Sequence, residues 1–173
     1  MKIVKESLNE LPAWEELVSS APEEIKQYIE KMKTTPQGTN WHPEGNCFIH
    51  TRLVYDRAAA LGDINLALAA FFHDLGKVDT TKPNKRGGYS ALGHERVSAR
   101  LVNYYGDWVE AMGGNVKEVH DLVFYHMKIK FYNEMRPHKQ QLMRELDVYD
   151  KLNQFTPCDD MKTLTDEEFK RYK

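Results

Sequence analysis

The stretch A67-L-A-A-F-F-H-D-L-G-K-V-D-T-T-K-P83 decides how this chain is read. Its first six residues, Ala67 to Phe72, form the most apolar helix-like run in the sequence, and the run ends on His73 and Asp74. Phenylalanines at 71 and 72 place this helix end in the interior, where an imidazole beside a carboxylate loses hydration worth several kcal/mol, by rough estimate, unless something compensates the pair. A salt bridge or a metal ion can do so, and the surrounding sequence must decide between them.

Working outward, helical spacing dominates and period-2 alternation is nearly absent. Short helices are expected at 13–20 and 22–33, the second opened by Pro22 with Glu23 and Glu24 in its first turn. A loop, T34-T-P-Q-G-T-N-W-H-P-E-G45, precedes a helix capped by Asn46 and stopped at Gly62. Asp63 caps the helix that runs into His73–Asp74, with Gly76 as a left-handed stop and a Pro/Gly/Lys loop after it. Further helices are expected at about 91–105, 115–130 and 138–154, and Thr165 with Glu168 forms a capping box for a short, charged last helix. The expected architecture is all-α, one helical bundle. Residues 1–40 form a helical extension packed on a core domain at 41–155, and 156–173 form a tail with a short helix.

The chain's 173 residues suit one domain, with 41% hydrophobic and 29% charged residues. A net charge of −2 argues against general DNA or membrane-surface binding. Cys47 and Cys158 lie far apart and outside any CxxC pattern, so a reducing compartment is expected, and the cytoplasm is the default. No stretch is apolar for long enough to span a bilayer, and the start has no signal-peptide core.

The histidines fall on apolar faces. His50 shares a helix face with Leu53, Val54, Ala58 and Leu61; His94 with Val97, Leu101, Tyr104 and Tyr105; His126 with Val116, Val119 and Val123. Asp147 lies one turn past Met143, beside the core-facing Leu146. Each inward histidine alone reads more often as a satisfied core residue than as a ligand. Together they would carry a large desolvation cost unless one cationic centre served them all. His120, beside Asp121 and Glu118, reads as structural, His42 as a loop residue, and His138 as exposed.

The order His50, His73–Asp74, Asp147 resembles the H…HD…D signature of HD-domain metal-dependent phosphohydrolases. The segments W41-H-P-E-G-N-C-F-I-H-T-R-L-V-Y-D-R-A-A59, A67–T81, G93-H-E-R-V-S-A-R-L-V102 and E145-L-D-V-Y-D-K-L152 are similar to the HD domain of bacterial CCA-adding tRNA nucleotidyltransferases. The resemblance implies an HD-type bundle with His50, His73, Asp74 and Asp147 holding one divalent ion. His94 and His126 match histidines that hold a second ion in related proteins, with Asp74 as the bridge. The transferase half of such enzymes has no counterpart before His42, so CCA addition is not expected.

Mixed imidazole and carboxylate ligands suit Mn, Fe, Ni, Co or Zn better than an all-oxygen Mg site, and the absence of cysteine ligands argues against a closed structural zinc. The expected activity is hydrolysis of a nucleotide or RNA-terminal phosphate ester, of the 2′,3′-cyclic phosphodiesterase, nucleotidase or phosphatase kind. Asp74 and Lys77 are the expected catalytic groups. Lys77, Lys85, Arg86 (with Lys82 nearby) and Asp150 are expected at the substrate, while Arg52 is expected to face solvent. Two alternatives remain at this stage: a di-iron oxygenase on the same scaffold, and a non-catalytic module that binds nucleotides or tRNA ends.

Overall fold

A computed structural model describes residues 11–37 and 45–171. His42 lies outside them. Among the described residues there are eleven α-helices and one two-stranded sheet, and no helix is long and apolar enough to cross a membrane.

Two helices, α1 (Trp14–Ser20) and α2 (Glu23–Met32), lie on a core made by α3 (Cys47–Ala60) and α4 (Ile64–Phe72). The caps that open the latter two are those the sequence announces: the Asn46 side chain accepts from the Ile49 amide, and that of Asp63 from the Asn65 and Leu66 amides. Leu66 to Phe72 is buried throughout, so α4 is the central rod of the bundle. Trp14 of α1 packs edge-on or tilted against Phe48, Tyr55 and Phe71, at ring-centroid distances of 5.5–5.8 Å. The N-terminal helices are thereby part of the same apolar core.

After His73–Asp74 the chain does not stop in a left-handed turn. Gly76 has φ −62° and leads into α5 (Lys77–Thr80). Glycine is needed there for close approach: a Cβ would lie 2.3 Å from the His94 carbonyl oxygen and 2.9 Å from the Ser98 amide nitrogen. The expected loop is in fact an antiparallel hairpin, β1 (Thr81–Pro83) paired with β2 (Tyr89–Ala91). Asn84 holds its turn by accepting from the Arg86 and Gly88 amides. Strands of three residues are too short for alternation to announce them.

Gly93, at φ 80°, turns the chain into α6 (His94–Tyr104), which packs along α8 (Val116–Tyr125), with α7 (Gly106–Ala111) between them in sequence. The inner face of α6 is His94, Ser98, Ala99, Leu101 and Val102, whereas Tyr104 is 78% exposed. Past His126 a 3₁₀ segment, Lys128–Glu134, leads to α9 (Pro137–Arg144). The single helix expected at 138–154 is broken at 145–148, and α10 (Tyr149–Asp159) then runs five residues beyond the expected end. A short helix, α11 (Asp166–Arg171), closes the described chain.

Candidate metal centre

Five side chains from four elements meet in the interior: His50 of α3, His73 and Asp74 at the end of α4, His94 at the start of α6 and His126 at the end of α8. All are buried, at 4% exposure or less. Potential ligand atoms of His50, His73 and Asp74 lie within 4.8 Å of one another, as do those of Asp74, His94 and His126. Asp74 belongs to both groups and divides its oxygens between them. Its Oδ2 lies 3.3 Å from Nε2 of both His50 and His73, and its Oδ1 lies 3.2 Å from His94 Nε2 and 3.8 Å from His126 Nε2.

A sixth group completes the first cluster, and it is not the one the sequence suggested. Asp159 Oδ1 lies 2.8 Å from His50 Nε2 and 3.3 Å from His73 Nε2. Asp147 is exposed in the turn between α9 and α10, beside Asn65, Lys117 and Asp121 on the outside of the bundle. The break at 145–148 takes it off the buried face, and the continuation of α10 carries Asp159 inward. A signal for this was present. Leu152, Phe155 and Asp159 follow at i, i+3 and i+7, but Pro157 discourages extending a helix that far.

The geometry suits a metal ion. Ligand atoms about 2.1 Å from an ion lie about 3.0 Å apart at octahedral edges and about 3.4 Å apart at tetrahedral ones. The imidazole-to-carboxylate separations among His50, His73, Asp74 and Asp159 run from 2.8 to 3.3 Å. Three histidines are also oriented for ligation through Nε2. The Nδ1–H groups of His73, His94 and His126 donate to the carbonyls of Ala70, Ala91 and Val123, at 2.6, 2.9 and 2.5 Å, leaving each Nε2 facing the centre. His50 and His73 face each other Nε2 to Nε2 at 3.3 Å, and so do His94 and His126.

Two lysines flank the carboxylates. Lys77 Nζ lies 3.1 Å from Asp74 Oδ2 and donates to Gln37 Oε1 at 2.8 Å; Lys130 Nζ lies 2.6 Å from Asp159 Oδ2. Each ammonium is at ion-pair distance, yet both carboxylate oxygens lack a well-aligned hydrogen bond. Burial pushes both carboxyls up, but His73 with Lys77 (for Asp74) and Lys130 with His73 (for Asp159) outweigh it and hold them well below the usual carboxylate range. Burial pulls His73 down, yet Asp74 and Asp159 raise it to about 9. His126 is lowered well below the ordinary imidazole value by burial and by His73 and His94.

The remaining expected residues divide. Lys77 lines a cavity of about 450 Å³ together with His94, Glu95, Gln37, Tyr89, Ser90 and Met127. Lys85 and Arg86 are exposed at the hairpin tip and do not line it, because the hairpin pairing holds the tip beyond the cavity wall. Asp150 is exposed in the first turn of α10, facing away from the cluster that Asp159 joins nine residues later. Arg52 pairs with Glu15 at 2.5 Å, away from the centre. His120 pairs with Asp121 at 2.8 Å and stacks on Phe124, and His138 is exposed. Gln37, Lys130 and Asp159 escaped sequence reading.

The family described as HD domain matches residues 47–152. The chain is 37% identical over 75 residues to the multifunctional CCA protein of Cupriavidus necator, covering 43% of this chain and 18% of that protein. It is 33% identical over 102 residues to that of Methylococcus capsulatus, covering 57% of this chain and 23% of that protein. The match therefore spans less than a quarter of those relatives. No solved structure is significantly similar.

Proposed function

The chain belongs to the HD domain family, and on that premise we propose that it hydrolyses phosphate esters of nucleotides or RNA ends with one or two divalent ions. His50, His73, Asp74 and Asp159 would hold one ion and Asp74, His94 and His126 a second. The observation that carries this reading is the division of Asp74, one oxygen toward each histidine pair.

Divalent ions held there would lower the pKa of a coordinated water and offset charge on a phosphoryl oxygen. The chain's own groups supply the rest. Lys77 stands between Asp74 and the cavity, where its ammonium stabilises charge building on a phosphoryl group. Burial pulls that ammonium's pKa down, but Asp74 outweighs it and keeps it raised, so Lys77 acts as a fixed cation rather than as a proton donor. Gln37 accepts from Lys77 through Oε1, and its buried Nε2 has no hydrogen-bond partner among the described residues, so it is positioned to donate to a bound ester. A cavity of about 450 Å³ takes a mononucleotide or a single terminal nucleotide.

The test is elemental analysis of purified protein together with turnover of 2′,3′-cyclic AMP and a panel of 2′-, 3′- and 5′-nucleotides in Mn²⁺, Ni²⁺, Co²⁺ or Mg²⁺. Hydrolysis that is lost in His73→Ala and Asp74→Asn is expected. Failure of metal-loaded protein to turn over any of them rejects the proposal, and substrate-dependent oxygen uptake by iron-loaded protein would replace it with an oxygenase.

A further inference from the structure

Asp159 is the last residue of α10, and a helix end is a poor place from which to hold a ligand. Carbonyls of the final turn have no intrahelical partner, and terminal turns fray. Pro157 weakens this turn further, because it brings no amide to the ladder. Something outside α10 must therefore fix the backbone around Asp159.

Arg57 does this from α3. Its Nη1 donates to the Asp160 carbonyl at 3.0 Å and the Cys158 carbonyl at 3.3 Å, the carbonyls of the residues before and after Asp159. The same nitrogen reaches Thr163 Oγ1 at 3.3 Å. Arg57 lies seven residues after His50, two turns along the same helix face. α3 thus grips Asp159 twice, through the His50 ring on its carboxylate and through the Arg57 guanidinium on its backbone.

The guanidinium is itself fixed. Its Nε and Nη2 fork onto Glu168 of α11, at 2.7 and 2.9 Å. Glu168 is held in turn by the capping box: its amide donates to Thr165 Oγ1 at 3.1 Å, and its Oε1 accepts from the Thr165 amide at 3.2 Å. A chain of contacts therefore runs from the C-terminal helix to the metal centre without any residue of that helix touching the centre.

We infer that Arg57 is the positioning residue of the Asp159 ligand, and that Glu168, by locking the guanidinium fork, makes the C-terminal helix a determinant of ion affinity at the His50/His73/Asp159 side. This rests on the reading of Asp159 as a ligand. Groups that orient ligands without touching the ion typically alter metal affinity by about 10- to 100-fold. Arginine is required because one ammonium cannot span two carbonyls and a carboxylate together.

The test is Co²⁺ titration of the full chain, followed by visible absorption and calorimetry well below each variant's melting temperature, for wild type, Asp159→Asn, Arg57→Gln, Arg57→Lys and Glu168→Gln. Asp159→Asn should lose the tighter-coupled ion at the His50/His73 side. Arg57→Gln and Arg57→Lys should weaken that ion by roughly tenfold or more and shift its absorption band, Glu168→Gln should weaken it by roughly threefold to tenfold, and the ion at His94/His126 should bind as before. If Asp159→Asn binds both ions like wild type, the ligand reading falls and the positioning role falls with it. If Asp159→Asn loses the ion but the Arg57 and Glu168 variants keep wild-type affinity and spectrum, only the positioning role is overturned. Equal weakening of both ions also overturns it, because that is what general loosening of the bundle produces. Should Arg57→Gln not fold, Arg57→Lys and Glu168→Gln decide by the same criteria.

Discussion

Metal binding at the His50/His73 side should expel the proton of His73, whereas His126 on the other side has none to release. The two carboxylates Asp74 and Asp159 raise His73 to about 9 in the metal-free protein, so its imidazole is almost fully protonated at neutral pH. An ion must replace that proton. At pH 7 the displacement runs two pH units against this value, which costs about 2.7 kcal/mol. Affinity for the first ion should therefore rise about tenfold per pH unit from pH 6.5 and level off near pH 9. His126 behaves oppositely: burial and its histidine neighbours hold it neutral, so it has no proton to lose. Calorimetric titration with Mn²⁺ or Ni²⁺ in buffers of different ionisation enthalpy counts the protons, and about one is expected for the ion that His50, His73 and Asp159 bind. The same raised value bears on the metal-free fold. Its contribution to stability is fully present below about pH 6.5 and is lost as pH rises through about 9, so the melting temperature without metal should fall across that window. A buffer-independent enthalpy for every ion, with affinity flat from pH 6.5 to 8.5, would refute the charge assignment.

Asp159→Asn should lower metal affinity by roughly 100-fold or more, whereas Asp147→Asn, on the outer surface, should leave both metal content and turnover at wild-type values; equilibrium dialysis and a rate assay compare them. His126→Leu should remove one bound ion per chain while changing metal-free stability by no more than about 1 kcal/mol, measured by elemental analysis and urea unfolding, because an apolar side chain relieves the crowding of lone pairs beside Asp74. Gly76→Ala should destabilise the fold by roughly 3 kcal/mol, read by thermal unfolding, since its Cβ meets backbone atoms of α6 rather than a movable side chain. The Arg57 fork holds Glu168 down at about 2. The pair's contribution is thus present above about pH 4.5 and is lost as pH falls toward 2. It amounts to about 1 kcal/mol once solvent screening is allowed for, and acid unfolding of Arg57→Gln should lose that increment.

What could be read from the sequence was what local chemistry decides. Asn46, Asp63 and Thr165 announce helix starts because each side chain satisfies amides two or three residues away, and all three do so. The inward histidines were legible because their helices carry apolar faces. Asp159 and Arg57 were not, since both depend on where α9 ends and α10 begins. That break comes from how the turn at 145–148 packs, and no residue within it is a strong stop. The glycine at 76 was recognisable as special but not for its reason, because close approach to α6 belongs to tertiary packing and leaves no mark on neighbouring residues.

The choice between a structural ion-pair network and a metal centre turns on the His94/His126 side. Around His50 and His73, two carboxylates meet two lysines and one protonated imidazole, so the carboxylate charge is already countered without any ion. The other side has no such balance. With its Nδ1 hydrogen committed to the Val123 carbonyl and burial keeping it neutral, His126 offers only a lone pair inward. His94 commits its Nδ1 hydrogen to Ala91 in the same way, and Asp74 Oδ1 completes the trio. The His126 lone pair therefore meets His94 Nε2 and Asp74 Oδ1 within 4.8 Å with no donor of its own to offer them. Packing alone gives no reason to bury such an arrangement, which repels itself in a low dielectric and gains only when a cation joins it. It is this inward lone pair of His126 beside Asp74, more than the histidine–aspartate dyad, that sets the cluster apart from a satisfied polar core.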